Sequence, residues 1–179
     1  AMLTKSDFTR IEIRRSRLEI RYRELAAEAE AQAQKAYKRS TLHPCYVAYE
    51  IGNLLDSQAI LLDDALSNSG YVNTYHKRAE PGTFFKSGGS SGGWGSGAAF
   101  GAKLASPDRD VVLATGDGYF MFGTPMTALW SAAHYKAPFL TVVFVNRSYS
   151  TGTNYLNLMY PDGVSVRSGN YEGGVFDPP

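Results

Sequence analysis

Asp117 sits between two glycines, in Gly116-Asp117-Gly118, directly after the apolar run Val111-Val112-Leu113-Ala114. Asn146 follows the next apolar run, Leu140-Thr141-Val142-Val143-Phe144-Val145. A carboxylate and an amide oxygen at two strand ends, joined by backbone carbonyls of the turn after Asn146, form an all-oxygen ligand set. Such a set suits magnesium, which usually shares its shell with phosphate and water. The flanking glycines let a ligand approach the backbone, and the N–H groups after Asp117 can face an anion. Alone, Gly-Asp-Gly is an ordinary turn. A strand before it, a helical pattern after it and Asn146 beyond give it chemical meaning.

That chemistry requires strands that end along one edge. A third apolar run, Ala59-Ile60-Leu61-Leu62, ends in Asp63-Asp64. Helical patterns fall at 97–105 and 125–136, the second with Thr124 as cap and Pro125 in its first turn. Apolar strands alternating with helices imply an α/β fold, a parallel sheet with helices on both faces. Ligands of such sheets bind at the carboxyl ends of the strands. The segments expected there, Ser67-Asn68-Ser69, Gly116-Asp117-Gly118 and Asn146-Arg147-Ser148, are all polar or glycine-rich.

Upstream, 6–39 reads as one long helix, with Ser6 and Asp7 as caps and Ile11, Leu18, Leu25 and Ala29 near one face. Arg14, Arg15, Arg17, Arg21 and Arg23 make it basic, but Glu12, Glu19, Glu24, Glu28 and Glu30 are interspersed. This is the pattern of a solvated helix rather than of a phosphate-binding one. The expected organisation is therefore a linker helix over 1–40 and a ligand-binding domain over 41–179. Within the domain, Pro44 opens a helix whose stripe is Cys45, Val47, Ala48, Ile51 and Leu54. From about 150 no helix or strand is evident, which suggests a functional loop or a domain incomplete at its C-terminus.

The chain has 179 residues, 44% of them hydrophobic and 20% charged, with a net charge of +1. That balance is ordinary for a globular domain and gives no reason to expect nucleic acid as partner. Cys45 is the single cysteine, so no internal disulfide can form, and no Cys/His spacing suggests zinc. No apolar run approaches the roughly 20 residues needed to span a membrane, and the N-terminus lacks the apolar core of a secretory signal. A cytoplasmic setting is expected. His43 and His134 read as structural, and His76 as a surface residue.

From Gly92-Gly93-Trp94-Gly95 to Ser148-Tyr149 the sequence resembles the diphosphate-binding domain of thiamine diphosphate enzymes. The similarity is to the group of acetolactate synthase, benzoylformate decarboxylase and the 2-hydroxyacyl-CoA lyases. The family signature is Gly-Asp-Gly followed some 25–30 residues later by Asn-Asn, matched here by Gly116-Asp117-Gly118 and Val145-Asn146. The resemblance implies thiamine diphosphate and Mg2+ as cofactors, with Asp117, Asn146 and the Ser148 carbonyl as metal ligands. It places Ser67, Asn68 and Ser69 at the diphosphate and a carbonyl near Ser90 at the cofactor's 4′-amino group. Gly92, Gly116, Gly118 and Tyr119 complete the cofactor-contacting set, and the run 119–122 otherwise reads as core. The loop 87–93 is expected to cover the cofactor.

Two positions depart from the pattern. Val145 stands where the first Asn is usual, and Gly92 where a Leu or Met often lies beneath the bent cofactor. The resemblance also implies a glutamate on a separate pyrimidine-binding domain, and no segment here resembles that domain. No catalytic residue is therefore assigned to this chain. A partner chain or domain would supply the glutamate, in a homo- or hetero-oligomer acting on a small carbonyl or 2-hydroxyacyl substrate. The segments 84–89 and 118–123 resemble the 2-hydroxyacyl-CoA lyases most. Acetolactate-synthase-like condensation and 2-keto acid decarboxylation follow. A non-catalytic cofactor-binding fragment, or a doubly wound domain for another phosphorylated ligand, remains as an alternative of a different class.

Overall fold

Ile60–Asp64 forms strand β1 and is buried at all five positions. Phe84–Lys86, Val111–Gly116 and Leu140–Phe144 form β2, β3 and β4. The computed structural model describes residues 4–89 and 92–171. All pairings are parallel and the order is β2-β1-β3-β4, with Leu61 opposite Phe84, Leu62 opposite Leu113 and Gly116 opposite Phe144. Burial of both faces explains why β1 and β3 are continuous apolar runs rather than alternating ones.

The helices, in chain order, are α1 (Lys5–Tyr37), α2 (Pro44–Leu54), α3 (Ser69–Tyr75), α4 (Gly95–Ala105), α5 (Asp117–Phe122), α6 (Pro125–His134), α7 (Ser150–Met159) and α8 (Val164–Ser168). Val47 and Ile51 of α2 and Val72 of α3 pack on one sheet face with Leu61, Val112 and Ala114. Ala98, Ala99 and Ala102 of α4 pack on the other with Ile60, Leu62, Val111 and Leu113. Helices thus cover both faces, as the alternation of apolar runs implied.

The chain separates into two compact units, Ala1–Tyr46 and Val47–Pro179. In the first, α1 is a solvated helix: among its described residues only Ala33 and Ala36 are buried. Arg15 pairs with Glu19 at 3.6 Å and Arg21 with Glu24 at 3.1 Å, as expected of charges one helical turn apart. Its cap is Thr4 rather than Ser6 or Asp7. Thr4 Oγ1 accepts the Asp7 N–H while the Asp7 carboxylate accepts the Thr4 N–H, a reciprocal capping box.

Several sequence expectations need correction. Strand β2 was not anticipated, because three residues between Pro81-Gly82 and Gly88-Gly89 are too short to show a period. The stretch after 150 carries α7 and α8; their apolar residues are mostly exposed, so no buried stripe marks them. Thr124 precedes α6 in left-handed backbone (φ 49°) and its side chain makes no capping bond. Met121 and Phe122 of α5 are exposed rather than core. His76 is half-buried, stacked on Phe84 at 4.2 Å, and burial lowers its pKa, with the Arg78 charge adding to the effect.

The order β2-β1-β3-β4 places a reversal between β1 and β3. The chain leaves β1 towards β2 on one side, then crosses to β3 on the other. Loops diverge at such a point and leave a crevice at the carboxyl ends. Elsewhere in the domain, the close approach of α2 to the end of α3 leaves no room for a side chain at Gly52: a Cβ there would lie 1.8 Å from the Tyr75 carbonyl oxygen. Gly52→Ala is therefore expected to destabilise the domain by about 2 kcal/mol or more, measured as a lowered urea midpoint with an unchanged denaturant slope.

Candidate functional site

Asp117 is the first residue of α5 and is 6% exposed. Its Oδ1 accepts the Gly118 N–H at 2.9 Å. Its Oδ2 accepts the N–H groups of Asn146 at 3.0 Å and Arg147 at 2.7 Å. One carboxylate thus ties the end of β3 to the turn after β4 with charge-assisted bonds. Arg147 takes left-handed backbone (φ 54°) in that turn. Asn146 Oδ1 accepts the Ser148 N–H at 3.0 Å, and its amide donates to Ser150 Oγ at 3.0 Å.

These residues line a cleft of about 500 Å³. Ser67, Asn68, Gly116, Asp117, Gly118, Tyr119, Asn146 and Ser148, all anticipated from sequence, are brought together there. The cleft lies at the reversal between β1 and β3, where the fold leaves a crevice. Ser69 and Gly92 do not line it. The Ser69 hydroxyl is turned inward and donates to Asp63 Oδ1 at 2.8 Å. Gly92 lies against the ring of Tyr119. Ser90 lies outside the described residues.

Sequence reasoning missed the far wall. Ser150, Thr151, Gly152 and Tyr155 of α7 line the cleft, and Ser67 Oγ lies 3.2 Å from Thr151 Oγ1. The signal was present: two hydroxyl residues open a stretch in which Tyr155, Leu156 and Met159 recur at helical spacing. Leu66, also on the wall, holds a left-handed backbone (φ 42°), which costs a non-glycine residue energy and often marks a functional corner.

Beneath the cleft lies an acidic pair. The Asp63 side chain is fully buried, and Oδ1 accepts the Ala65 N–H as well as Ser69. Lys86 Nζ stands 3.3 Å from Oδ2, which has no aligned hydrogen bond, so the contact is an ion pair. Asp64 Oδ2 accepts the N–H groups of Gly93 at 3.0 Å and Gly95 at 3.1 Å, holding the loop that leads into α4. Burial pushes the Asp64 carboxyl up to about 6 against the pull of those two amides, and the neighbouring Asp63 charge acts with burial. Burial also raises the Tyr119 hydroxyl, with Asp64 acting in the same direction.

Among the described residues no group of three or more His, Cys, Asp or Glu is placed to hold a metal. The oxygen set of Asp117, Asn146 and the Ser148 carbonyl is of another kind, with one negative charge, and it fits a cation that shares its shell with an anionic ligand. Asp117 Oδ1 and Asn146 Oδ1 each carry one hydrogen bond, so each keeps a lone pair for such a cation.

The family "Thiamine pyrophosphate enzyme, C-terminal TPP binding domain" matches residues 65–177. A probable acetolactate synthase large subunit of Methanococcus aeolicus is 34% identical over 107 residues, 59% of this chain and 18% of that protein. A benzoylformate decarboxylase of Pseudomonas aeruginosa is 36% identical over 111 residues, 60% of this chain and 20% of that protein. The chain thus spans about a fifth of the length of the curated relatives it matches. Among solved structures, a thiamine diphosphate-dependent 4-hydroxybenzoylformate decarboxylase of Rhodococcus jostii RHA1 superposes with a TM-score of 0.68 at 27% identity. That superposition covers 79% of this chain and 25% of the other.

The raised Asp64 pKa has a pH signature. Its folded value, about 6, lies above the ordinary 3.8, so its contribution to stability is full below about 4 and lost as pH rises through about 6. Asp64→Asn keeps an acceptor for both glycine amides but carries no charge. Relative to the parent, the variant is expected to gain stability between about pH 4 and 7 and no more above that. Thermal midpoints of the two proteins across this range check the sign.

Proposed function

Because the chain belongs to the thiamine pyrophosphate enzymes, as their C-terminal TPP binding domain, we propose that it is the Mg2+- and diphosphate-holding half of an active site. That site makes or breaks a carbon–carbon bond next to a carbonyl. The single observation that carries this reading is the convergence of Asp117, Asn146 and Ser148 with Ser67 and Asn68 on one cleft at the strand reversal.

In this reading the Asp117 carboxylate, the Asn146 amide oxygen and the Ser148 carbonyl would hold Mg2+, which would supply positive charge to offset that of the diphosphate. Gly116 and Gly118 line the cleft without side chains and would leave room for the diphosphate beside Asp117. Ser67, Asn68 and the α7 hydroxyls of Ser150 and Thr151 are the hydrogen-bonding groups of the facing walls. When bound, thiamine diphosphate supplies the carbanion and the electron sink. The chain's own work is to bind it, orient it and neutralise its phosphates.

The relatives' names are synthases and decarboxylases, which favours 2-keto acid decarboxylation or condensation. The narrower 2-hydroxyacyl-CoA lyase expectation draws no support from those names, so the reaction is carried at the level they share. A domain on another chain, or elsewhere on a longer polypeptide, would supply the pyrimidine side and its glutamate. Phe122, Met126 and Trp130 of α5 and α6, each about two-thirds exposed or more, offer such a partner an apolar surface.

Calorimetry tests this. Thiamine diphosphate should bind the chain with Mg2+ and lose that binding when Mg2+ is chelated. Asp117→Asn keeps an acceptor for the Asn146 and Arg147 amides but removes the charge. It is expected to lower the thermal midpoint, because its amide nitrogen replaces the oxygen that accepts the Gly118 N–H, and, measured well below that midpoint, to weaken Mg2+–thiamine diphosphate by at least about 30-fold, about 2 kcal/mol. Equal binding by the variant, or without metal, would contradict the reading. So would turnover of a 2-keto acid by the purified chain alone.

A further inference from the structure

Tyr119 and Gly92 occupy one another's space. A Cβ on Gly92 would stand 2.1 Å from Cε1, 2.2 Å from Cδ1 and 2.4 Å from Cζ of Tyr119. The phenol ring therefore lies against the Gly92 backbone and fills the volume any side chain at 92 would need. The next two contacts lock the same loop. Gly93, with φ at +88°, presses on Gly123 so closely that a Cβ on Gly93 would lie 2.7 Å from the Gly123 Cα. Asp64 holds the N–H groups of Gly93 and Gly95 from below. Loop 92–95 is thus registered against α5 at Tyr119 and at the helix's C-cap Gly123, and α5 begins with Asp117.

The ring also divides two spaces. Tyr119 and Leu66 line the large cleft and also a small inner cavity of about 40 Å³ bounded by Asp63, Asp64, Lys86 and Trp94. Tyr119 is two residues beyond Asp117 and lines the cleft together with Leu66, Phe144 and Tyr155, so its ring belongs to the apolar wall that a ligand anchored at Asp117 and Asn146 would meet. Thiamine diphosphate is such a ligand, an anionic diphosphate joined to two flat heteroaromatic rings.

We propose that Tyr119 is the positioning residue for the ring portion of the cofactor, its phenol forming the piece of cleft wall that Gly92 cannot supply. Gly92 is glycine because Tyr119 stands there, and the two positions form one exchangeable unit. This inference rests on the proposed cofactor but concerns its rings, whereas Asp117 and Asn146 concern its phosphates.

The full chain is tested as Tyr119→Ser, Gly92→Leu and the double variant. Mg2+–thiamine diphosphate and Mg2+–inorganic diphosphate serve as the two probes in calorimetry, with thermal midpoints alongside. Tyr119→Ser is expected to hold Mg2+–diphosphate within about twofold and to weaken Mg2+–thiamine diphosphate about tenfold, the scale of an aromatic packing contact. Gly92→Leu alone should lower the midpoint and lose thiamine diphosphate. The double variant should recover thiamine diphosphate to within about threefold of the parent. Equal losses for both probes in Tyr119→Ser, or no loss for either, would overturn the assignment and leave the phosphate site standing. A double variant no better than Gly92→Leu would overturn the exchange. A parent chain that binds neither probe would overturn the proposed cofactor, and this inference with it.

Discussion

The site depends on one carboxylate. Asp117 accepts three backbone N–H groups, one from its own helix and two from the turn after β4. Without it, the ends of β3 and β4 would be joined at this corner by the sheet ladder alone. Asn146 and Ser148 would then have no fixed position relative to α5. Charged acceptors make stronger bonds than neutral ones, and the near-complete burial of Asp117 excludes competing water. Because Oδ2 accepts both amides of the β4 turn, Oδ1 keeps a lone pair towards the cleft. A single side chain therefore builds the corner and still keeps an oxygen lone pair beyond its three hydrogen bonds.

Around that corner the fold supplies layers of constraint. The reversal between β1 and β3 opens the crevice. The fully buried strands set where it opens, and helices on both faces keep the strands rigid. Asp64 works on the opposite side as Asp117 does on the near one, gathering the amides of Gly93 and Gly95. One difference separates the two. Burial raises the pKa of Asp64, so its grip on the loop is held at a cost in stability near neutral pH. Two buried aspartates at two strand ends thus fix two loops, the turn after β4 at the cleft and the loop leading into α4.

Much of this was legible in the sequence. The runs at 60–62 and 111–114 are apolar because both sheet faces are covered there, a burial that leaves a clear mark, whereas 140–144 is apolar although this edge strand is partly exposed. Gly116-Asp117-Gly118 and Asn146 could be placed on strand ends for the same reason. What could not be read has physical causes. The three residues of β2 are too few for a period. For α7 the helical spacing of Tyr155, Leu156 and Met159 was there to be read, although these side chains are exposed and form no buried stripe. Ser69 follows two polar residues that line the cleft, yet the turn at 66–68 rotates its hydroxyl inward to Asp63. The mutual exclusion of Gly92 and Tyr119 links positions far apart in the chain, and only the folded geometry brings them together.

In the function proposed above, this corner would hold Mg2+ beside the cofactor's diphosphate. The central claim of that proposal is the location of the cation. The most direct measurement is a 15N NMR titration of the chain with thiamine diphosphate and paramagnetic Mn2+ in place of Mg2+. The predicted result is line broadening centred on the amides of Gly118, Asn146, Arg147 and Ser148. Broadening centred on any other region, or none at these four amides, would contradict it.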